Sequence, residues 1–416
     1  MSGKGLRVAI AGAGVAGGVI ATGLSRIPGV EVIALEQVGP QDHLSAGNGL
    51  NIGPNAVASL TAALPEMAAR LLAVSLPWRQ WRCETVGGEP LFHIPLAEVA
   101  DCDGIRVRWA ELYRICREGA DGVVRYRARC EGVDRSGDGA LSLSVQPVGD
   151  AGQPSGARDA IRDVDLVIVA DGRYSELRDA LCGAPQIRHL GVANYRVLLQ
   201  DHGATGIDDM MQWFHGPNRL LAFRLRGGLV YLSGNFPIVA GEEITAEQRT
   251  GDRLRASYAS APHLLDAPRW LVDAACAVES ELHWSRAQEN IGANYHAAGG
   301  RVMFAGDSAH AMAPTLGQGA TMAIEDGAAF LNLFHAALRA AGGRARDIAV
   351  PALTAAFAAL RADRVDFVRQ LSWDASDSLC FGVDADAANR AKGGADYRAR
   401  LARMYREIPL PEMVDA

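Results

Sequence analysis

Continuous apolar runs at the start of the chain end in glycine-rich turns, a pattern typical of buried parallel strands. Residues 6–11 (LRVAIA) form the first run and lead into the turn GAGVAGG. A helical stretch follows through about Ile27, and residues 30–36 (VEVIALE) form a second buried strand. These segments predict a βαβ unit of about thirty residues, the building block of a doubly wound sheet.

The pattern changes in the middle of the chain. Residues 123–147 alternate apolar and polar positions in short runs, which favours an antiparallel meander or hairpin. Residues 164–172 (VDLVIVADG) return to a continuous apolar strand, predicted to join the first sheet. Residues 186–284 are rich in β-formers and aromatic residues, with a helical patch near 245–260, and an apolar strand within 300–310 precedes an Ala-rich helical region. We therefore predict a second, mainly antiparallel β-domain inserted in the first.

Composition and charge narrow the classes of function. The 416 residues are 49% hydrophobic and 21% charged, so the chain can bury a sizeable core. Its formal net charge is −7 and its basic residues are scattered, which disfavours a nucleic-acid partner. The seven cysteines lie far apart without a CxxC motif, so we expect neither a disulfide framework nor a metal site. No apolar segment has the length of a transmembrane helix, so we expect no membrane partner and a cytoplasmic location.

The first strand is followed directly by a GxGxxG motif formed by Gly12, Gly14 and Gly17. In such motifs the first glycine permits a tight turn, the second lets a pyrophosphate approach the backbone, and the third lets helix and strand pack closely. Glu36 ends the second strand, where a carboxylate can accept hydrogen bonds from a ribose diol. The predicted dinucleotide-binding residues of this unit are Gly12, Gly14, Val15, Ala16, Gly17 and Glu36.

Two later strand ends bear on whether the dinucleotide is NAD or FAD. The segment VADGRYSELR contains Asp171, Ser175 and Arg178 after a buried strand. In GDSAHAMAPTLGQGATMAIED, Asp307 can bind a ribityl hydroxyl, and a glycine-rich helix start exposes N–H groups to the pyrimidine end of a flavin. Taken singly, DG and GD are common turn dipeptides. The residues predicted at that helix start are Gly317, Gln318, Gly319, Ala320 and Thr321.

These motifs occur in the same order in single-component FAD-dependent aromatic hydroxylases, the p-hydroxybenzoate hydroxylase family. The resemblance covers about residues 6–365, and GDxxHxxxPxxGQG is its most specific part. Residues 47–56 (GNGLNIGPNA) are similar to the stretch that salicylate and 6-hydroxynicotinate hydroxylases place beside the isoalloxazine ring. Residues 106–112 (RVRWAEL) resemble the family's HRxxL segment, with Arg108 on the position of its FAD-binding arginine.

The resemblance implies an α/β fold with a Rossmann-type FAD-binding domain, an inserted, mainly antiparallel β substrate domain and a helical C-terminal region. The predicted boundaries are residues 1–75, 101–185 and 285–350 for the FAD-binding domain, 76–100 and 186–284 for the β-domain, and 351–416 for the helical region. The chain contains one GxGxxG motif, which argues against relatives with a second dinucleotide site. NADH or NADPH is therefore expected as a transient reductant.

The same resemblance assigns the cofactor contacts. The glycine turn and Glu36 would hold the ADP half of FAD, Arg108 the ribose and diphosphate, and Asp307 the ribityl chain. Residues 314–321 would border the flavin ring, with the Pro314 carbonyl facing the substrate. Further residues implied at the cofactor are Gly47, Gly49 and Asp171.

The implied reaction hydroxylates an electron-rich aromatic or heteroaromatic ring of the hydroxybenzoate or hydroxypyridine type, with O₂ and a C4a-hydroperoxyflavin. Asn51 stands where 6-hydroxynicotinate hydroxylase-like sequences carry His, and we predict it, with Pro314, as a catalytic position. Candidate substrate contacts on the predicted β-domain strands are Tyr195, Arg196, His215 and Arg224. Either arginine can pair with a substrate carboxylate, but a position on a solvated strand face is the more common explanation for an arginine.

Several alternatives remain open. A related flavin monooxygenase or epoxidase that tailors a larger natural product fits the same motifs, and a non-catalytic flavin-binding or NAD-binding protein fits some of them. A flavin halogenase is disfavoured because it relies on a lysine between flavin and substrate, and Lys4 and Lys392 lie near the chain ends. His310 is expected to be structural. Five aromatic residues are interpreted as core residues or as walls of an aromatic site, namely Trp78, Trp81, Trp213, Phe214 and Trp284. The oligomeric state is expected to be a monomer or homodimer.

Overall fold

The computed structural model describes residues 5–42, 48–135, 139–201, 203 and 205–410. Its strands are β1 Leu6–Ala11, β2 Val30–Glu36, β3 Gly49–Ile52, β4 Leu76–Trp78, β5 Gln80–Thr85, β6 Pro90–Pro95, β7 Gly104–Arg108, β8 Val124–Tyr126, β9 Ala128–Arg135, β10 Leu141–Pro147, β11 Asp159–Val164, β12 Leu166–Val169, β13 Gln186–Gln200, β14 Met210–His215, β15 Asn218–Leu225, β16 Leu229–Pro237, β17 His283–Ile291, β18 His296–Ala297 and β19 Val302–Phe304. Its α-helices are α1 Val15–Leu24, α2 Pro54–Ala63, α3 Pro65–Val74, α4 Trp109–Glu118, α5 Glu176–Cys182, α6 Gly251–Ala256, α7 Asp266–Ala277, α8 Asp307–His310, α9 Gln318–Ala340, α10 Val350–Asp374, α11 Ala385–Lys392 and α12 Ala395–Arg406.

A six-stranded sheet has the predicted βαβ unit at its centre. Its order is β18-β19-β12-β1-β2-β8, and all neighbours are parallel except β18 and β19. The continuous apolar runs of β1 and β12 are buried because helices cover the sheet. The helices α1 and α9 pack together, and α10 packs on α9. This sheet and its helices confirm the predicted α/β fold class.

A seven-stranded sheet has the order β17-β13-β16-β15-β14-β5-β6 and is antiparallel except between β5 and β14. Side chains on one of its faces form a separate apolar core with α6 and α7. Its opposite face borders a large cavity. Because β17 continues to Ile291, the sheet extends past the predicted end of the β-domain, and the division into three domains stays a prediction.

Two elements differ from the sequence-based expectation. The strand β8 pairs with β2 in the parallel sheet, so the expected meander is reduced to β9, β10 and β11 in a separate antiparallel sheet. The helix α7 lies in a segment whose composition suggested strands. Its apolar residues Leu271, Val272 and Ala275 are buried at helical spacing. This helical periodicity outweighs the β-rich composition of the surrounding segment.

The C-terminal region is helical, as predicted. Tyr405 of α12 packs edge-on against Trp78 of β4, and the ring centroids are 6.3 Å apart. The helix α11 packs against β6. The C-terminal helices therefore close one side of the cavity. Among the described residues, no helix combines the length and apolarity that a membrane span requires.

Candidate active site

The glycine turn after β1 leaves room for a ligand at its second glycine. Gly12 has φ 93°, and a Cβ there would overlap the Ala170 carbonyl, while a Cβ at Gly17 would overlap the Gly12 carbonyl oxygen. A Cβ at Gly14, by contrast, would meet nothing nearer than the Tyr113 hydroxyl at 3.6 Å. The fold requires glycine at Gly12 and Gly17. At Gly14 it leaves an open cradle, as a bound pyrophosphate would need.

The first turn of α1 supplies donors for that cradle. Its N-cap is Gly14, which provides no side-chain cap, and its first turn contains no acidic residue. The backbone N–H groups at such a helix start favour an anion. Val15 and Ala16 are buried in this turn, so they contribute through their backbone.

Glu36 lies at the end of β2 and is held in place from several sides. Its Oε2 accepts hydrogen bonds from Ala13 N at 3.1 Å and from Arg117 Nη2 at 3.0 Å. Its Oε1 accepts from Val38 N at 3.1 Å. Because a carboxylate has about four acceptor positions, Oε1 retains capacity for a ribose hydroxyl. Sequence reasoning missed Arg117. Only the structure shows that Arg117 of α4 pairs with Glu36 at the end of β2.

A second cradle lies where β19 leads into α8 and α9. Asp307 faces the large cavity, and its carboxylate forms no hydrogen bond or ion pair with the described residues. A Cβ at Gly319 would lie 3.6 Å from Asp307 Oδ1, so this acid stands beside the start of α9. The helix α9 begins after Gly317 in the left-handed conformation (φ 66°) and has no side-chain cap. An unpaired acid beside uncapped N–H groups fits a ribityl chain and a flavin ring edge.

The predicted residues around that helix start divide into two groups. Gly317, Gly319 and Ala320 line the cavity. The Gln318 side chain is instead buried and accepts a hydrogen bond from Asn55 Nδ2 at 3.3 Å. The Thr321 hydroxyl accepts from Gly53 N at 3.1 Å and ties the loop after β3 to α9. The last two side chains therefore support the site from behind.

Arg108 and Gly49 pair across the β3–β7 ladder. Arg108 Nε is buried and has no hydrogen-bond partner among the described residues, as expected of an arginine whose partner is a phosphate or ribose oxygen. Gly49 lines the cavity, and Asp171 lies two residues after the end of β12, beside Gly12. Gly47, also predicted at the cofactor, lies outside the described residues.

Both predicted catalytic positions face the cavity. Asn51 presses against the start of α9, since a Cβ at Gly317 would lie 2.8 Å from Asn51 Oδ1. The Pro314 carbonyl accepts a hydrogen bond from Gly317 N at 3.0 Å and closes a short turn. A carbonyl oxygen has a second lone pair, so the Pro314 carbonyl is still able to accept from a ligand.

The cavity has a volume of about 760 Å³ and lies between the flavin-type motifs and the seven-stranded sheet. Its aromatic wall consists of Trp78, Trp81, Trp109, Tyr174, Tyr231, Trp284 and Tyr405. Four arginines line it, namely Arg173, Arg196, Arg219 and Arg286, whereas Asp307 is its only acidic lining residue in the described part of the chain. The cavity is thus both aromatic and electropositive.

Only Arg196 of the four predicted substrate contacts lines this cavity. Its Nε is buried without a partner among the described residues, and its Nη2 donates weakly to Ser285 Oγ at 3.4 Å. Tyr195 is the next residue on the same strand, so it points to the opposite face and is buried in the separate core.

The other two predicted contacts also point away from the cavity. His215 bonds Ser260 Oγ at 2.7 Å on the protein surface. Arg224 pairs with Asp201 near the end of β15. The prediction for Tyr195, His215 and Arg224 therefore disagrees with the structure, because alternate residues of a strand face opposite sides of the sheet.

Sequence reasoning missed Arg219, which lies on β15 beside Leu221 at the cavity wall. It is 6% exposed, and Arg219 Nε donates to Asn235 Oδ1 at 2.7 Å. No carboxylate pairs with it among the described residues. Burial lowers the pKa of Arg219 to about 10. The only signal in the sequence was the alternation of side chains along the strand, which places Arg219 on the same face as Leu221 and Phe223.

A buried ionic network lies beneath the second cradle. Asp326 Oδ2 accepts from Gly306 N and from His310 Nε2, each at 2.7 Å, and Oδ1 accepts from Arg361 Nε at 2.7 Å. Burial alone would lower the pKa of His310, but the adjacent Asp326 carboxylate raises it above its ordinary value. His310 does not line the cavity, and its geometry supports a positioning role.

Comparisons with known proteins agree with this geometry. The family model described as FAD binding domain matches residues 271–349. A 3-amino-4-hydroxybenzoate 2-monooxygenase from Streptomyces platensis is 29% identical over 350 residues, covering 80% of this chain and 80% of that protein. A 6-hydroxynicotinate 3-monooxygenase from Pseudomonas fluorescens is 26% identical over 405 residues, covering 91% of this chain and 95% of the relative. The crystal structure of Klebsiella pneumoniae HpxO with FAD and uric acid shares the fold, with a TM-score of 0.76, 21% identity and 98% of each chain covered.

Fold, cradles and relatives together define a flavoprotein monooxygenase whose cofactor is FAD. The resemblance to single-component FAD-dependent aromatic hydroxylases that was drawn from the motifs is confirmed by these relatives.

The unpaired carboxylate beside α9 gives a first test of the cofactor contacts. We expect Asp307→Ala to weaken FAD binding by about tenfold or more, because a hydrogen bond to a charged acceptor is lost. The unfolding midpoint without FAD should hardly change, since Asp307 bonds nothing else in the described fold. Equilibrium dialysis with FAD measures the affinity, and Asp273→Ala on the exposed face of α7 is the matched control. Wild-type FAD affinity in Asp307→Ala would contradict the assignment.

Proposed function

We propose that this protein uses NADH or NADPH and O₂ to hydroxylate a small, electron-rich aromatic or heteroaromatic compound. The observation that carries the proposal is that one continuous cavity joins the two parts of the site. Asp307 and Pro314 line one end of this cavity, and Trp78 and Trp81 contribute to its aromatic wall. A ring held by that wall lies next to the flavin-type motifs. Bound FAD supplies the redox chemistry and the activated oxygen that no side chain of the protein provides.

The residues of this chain bind and orient. Gly14 and the start of α1 would hold the diphosphate, with Glu36 at the ribose and Asp307 at the ribityl chain. The backbone N–H groups at the start of α9 would face the ring edge and favour negative charge there. NADH or NADPH is expected to bind transiently, because the residues argued to hold a dinucleotide are committed to FAD.

The aromatic wall would orient the substrate and exclude water. Trp78 and Trp81 are nearly fully buried, with exposures of 1% and 5%, so the wall is rigid. Tyr231 lies close to Arg196 at the cavity, and burial raises the pKa of Tyr231 above its usual value. This phenol would therefore stay neutral and is able to donate or accept a hydrogen bond at a substrate hydroxyl.

The relatives support a ring that carries both a polar activating group and a carboxylate. The names of the Streptomyces and Pseudomonas fluorescens enzymes describe an aminohydroxybenzoate and a hydroxynicotinate as substrates. We propose the same general class for this chain. A larger natural product is the alternative.

The test is a panel of hydroxybenzoates, aminohydroxybenzoates, hydroxypyridine carboxylates and larger phenols, supplied to the FAD-loaded protein with NADH or NADPH. We expect at least one small ring to give a product with one added oxygen atom derived from ¹⁸O₂, in proportion to the nicotinamide oxidised. Mass spectrometry and the absorbance of the nicotinamide measure both quantities. Oxidation that yields only hydrogen peroxide with every compound would contradict the proposal, and turnover of the larger phenols alone would favour the alternative.

A further inference from the structure

One face of α4 runs along the first cradle. Trp109, Tyr113 and Arg117 are four residues apart on this helix, so their side chains are neighbours on one face. The ring centroids of Trp109 and Tyr113 are 4.7 Å apart, and the Arg117 guanidinium lies 4.6 Å from the centre of the Tyr113 ring. We call these three residues the α4 row. Contacts in the preceding and the following turn therefore fix the position of the Tyr113 ring.

The two ends of the α4 row lie at parts of the site already described. Trp109 lines the large cavity. Arg117 Nη2 donates to Glu36 Oε2 at 3.0 Å, and Arg117 Nε donates to the Ala13 carbonyl at 2.8 Å, within the glycine turn. The α4 row therefore extends from the cavity to the carboxylate expected at the ribose of FAD.

The Tyr113 hydroxyl faces the open space of the first cradle. A Cβ at Gly14 would lie 3.6 Å from Tyr113 Oη, which is the nearest atom from elsewhere in the described chain. Tyr113 Oη forms no hydrogen bond with the described residues. A phenol whose ring is packed and whose hydroxyl has no protein acceptor needs an acceptor from a bound group or from water.

Two carboxylates show which part of the cofactor lies nearest to this hydroxyl. Burial raises the pKa of Tyr113, and the charges of Glu36 and Asp307 are both near enough to act in the same direction. Glu36 is expected at the adenosine ribose and Asp307 at the ribityl chain, and the diphosphate is the part of FAD that joins these two groups. The phenol therefore stays protonated, as a donor, beside the place expected for the diphosphate.

The cation next to the Tyr113 ring favours the same contact. Arg117 is 2% exposed, and its Nη1 forms no hydrogen bond with the described residues. A positive charge beside a phenol favours negative charge on the phenol oxygen, and so it strengthens the hydroxyl as a donor. The buried and incompletely paired guanidinium also favours an anion on this side of the cradle.

We propose that Tyr113 is a cofactor-binding residue whose hydroxyl donates a hydrogen bond to a diphosphate oxygen of FAD. The start of α1 offers only backbone donors to this group, because its N-cap Gly14 has no side chain. Tyr113 adds a side-chain donor and closes the first cradle from the side of α4. The inference rests on the proposed function only for the place given to the diphosphate.

The first measurement is the FAD affinity of the wild type and of Tyr113→Phe, by equilibrium dialysis of the FAD-loaded proteins. The variant removes one hydroxyl and keeps the ring contacts of the α4 row. We expect it to bind FAD about tenfold or more weakly, because a hydrogen bond to a charged acceptor is lost. Its unfolding midpoint without FAD should equal that of the wild type, since the hydroxyl bonds no described residue.

Tyr397→Phe is the matched control. Tyr397 Oη is also buried without a partner among the described residues, but it belongs to α12. This variant loses the same chemical group from another part of the protein and should keep the wild-type FAD affinity. An equal loss of affinity in Tyr397→Phe would show an unspecific effect and reject the role of Tyr113.

The second measurement identifies the part of FAD that is contacted. We expect ³¹P NMR of the bound cofactor to show a shifted diphosphate resonance in Tyr113→Phe and the wild-type spectrum in Tyr397→Phe. Weaker binding together with this shift upholds the proposal. Weaker binding with an unchanged spectrum places the contact elsewhere on FAD and rejects it, as does wild-type affinity with or without a shift.

Gly14→Val separates a failure of Tyr113 from a failure of the cradle itself. If Gly14→Val loses FAD and Tyr113→Phe behaves as the wild type, the first cradle is upheld and the role of Tyr113 is overturned. Neither measurement needs turnover. Product formation is measured separately, so a failure of the proposed function is recognised independently.

Discussion

The variant Gly14→Val should fold normally and lose FAD, with an affinity about 10- to 100-fold lower or worse. The open space at this position is the reason. A Cβ at Gly14 meets no protein atom closer than 3.6 Å, and the backbone has φ −72°, which every residue can adopt. The valine methyl groups would therefore occupy only the volume assigned to the diphosphate and would block its approach to the start of α1.

Comparison with other glycines makes this expectation specific. Gly17→Val should unfold or strongly destabilise the protein, because its Cβ overlaps the Gly12 carbonyl oxygen. Gly122→Val adds the same side chain at a position with nothing within 4 Å and should keep wild-type FAD content. Flavin absorbance after gel filtration, with the circular dichroism of the apoprotein, separates loss of cofactor from loss of fold. A yellow Gly14→Val protein with normal flavin content would show that the first cradle has only a structural role.

The βαβ unit could be predicted because its strands are buried on both faces. The strands β1 and β2 have the bounds that their apolar runs indicated, since β1 is covered on both sides and its sequence shows no competing pattern. The strand β8 could not be assigned in this way. Its three residues are only partly buried or exposed, and it pairs with β2 through three residues only. Short, half-exposed strands carry too little periodicity to fix their partners.

The glycine turns that form the two cradles were easier to predict than the side chains that line the cavity, for a physical reason. A backbone cradle needs glycines at fixed spacing, so it can be recognised in the sequence as a motif. Substrate side chains depend on which face of a strand they occupy. Arg219 and Arg224 are five residues apart on β15 and therefore face opposite sides, but the sequence does not say which side borders the cavity.

Lys392 shows how folding brings residues that are distant in the sequence close together. Its position near the end of the sequence suggested that it lies far from the chemistry. The helix α11 instead packs against β6 and buries Lys392 beside Arg219. It does not line the large cavity, so the argument against a halogenase lysine between flavin and substrate still holds.

The ionic network beneath the second cradle is built from charges that have no access to water. Arg361 and Glu325 are fully buried, as is Asp326. Arg361 Nε donates to Asp326 at 2.7 Å and its Nη1 donates to Glu325 at 3.0 Å, so a single guanidinium serves two carboxylates. Its partners hold the pKa of Asp326 down at about 2, although burial alone would raise it. Both acids therefore stay charged, and Arg361 bridges them, while Arg364 also pairs with Glu325 and His310 with Asp326.

We expect Arg361→Met to destabilise the protein by about 3–5 kcal/mol, because it leaves buried charges short of a partner. The effect should be larger than that of any exposed pair. Arg26→Met is the control, since Arg26 pairs with Glu66 where both side chains are largely in solvent, and it should cost about 0–1 kcal/mol. Urea unfolding measured with and without saturating FAD gives both free energies.

The two unfolding series also report what the network does for the cofactor. Asp326 holds Gly306 N directly, at the turn that leads into Asp307. If the network positions that turn, Arg361→Met lowers FAD affinity as well as stability, and added FAD raises its unfolding free energy less than that of the wild type. A loss as small as that of Arg26→Met would show that the acids find other partners or water, contrary to the buried ion pairs seen in the structure.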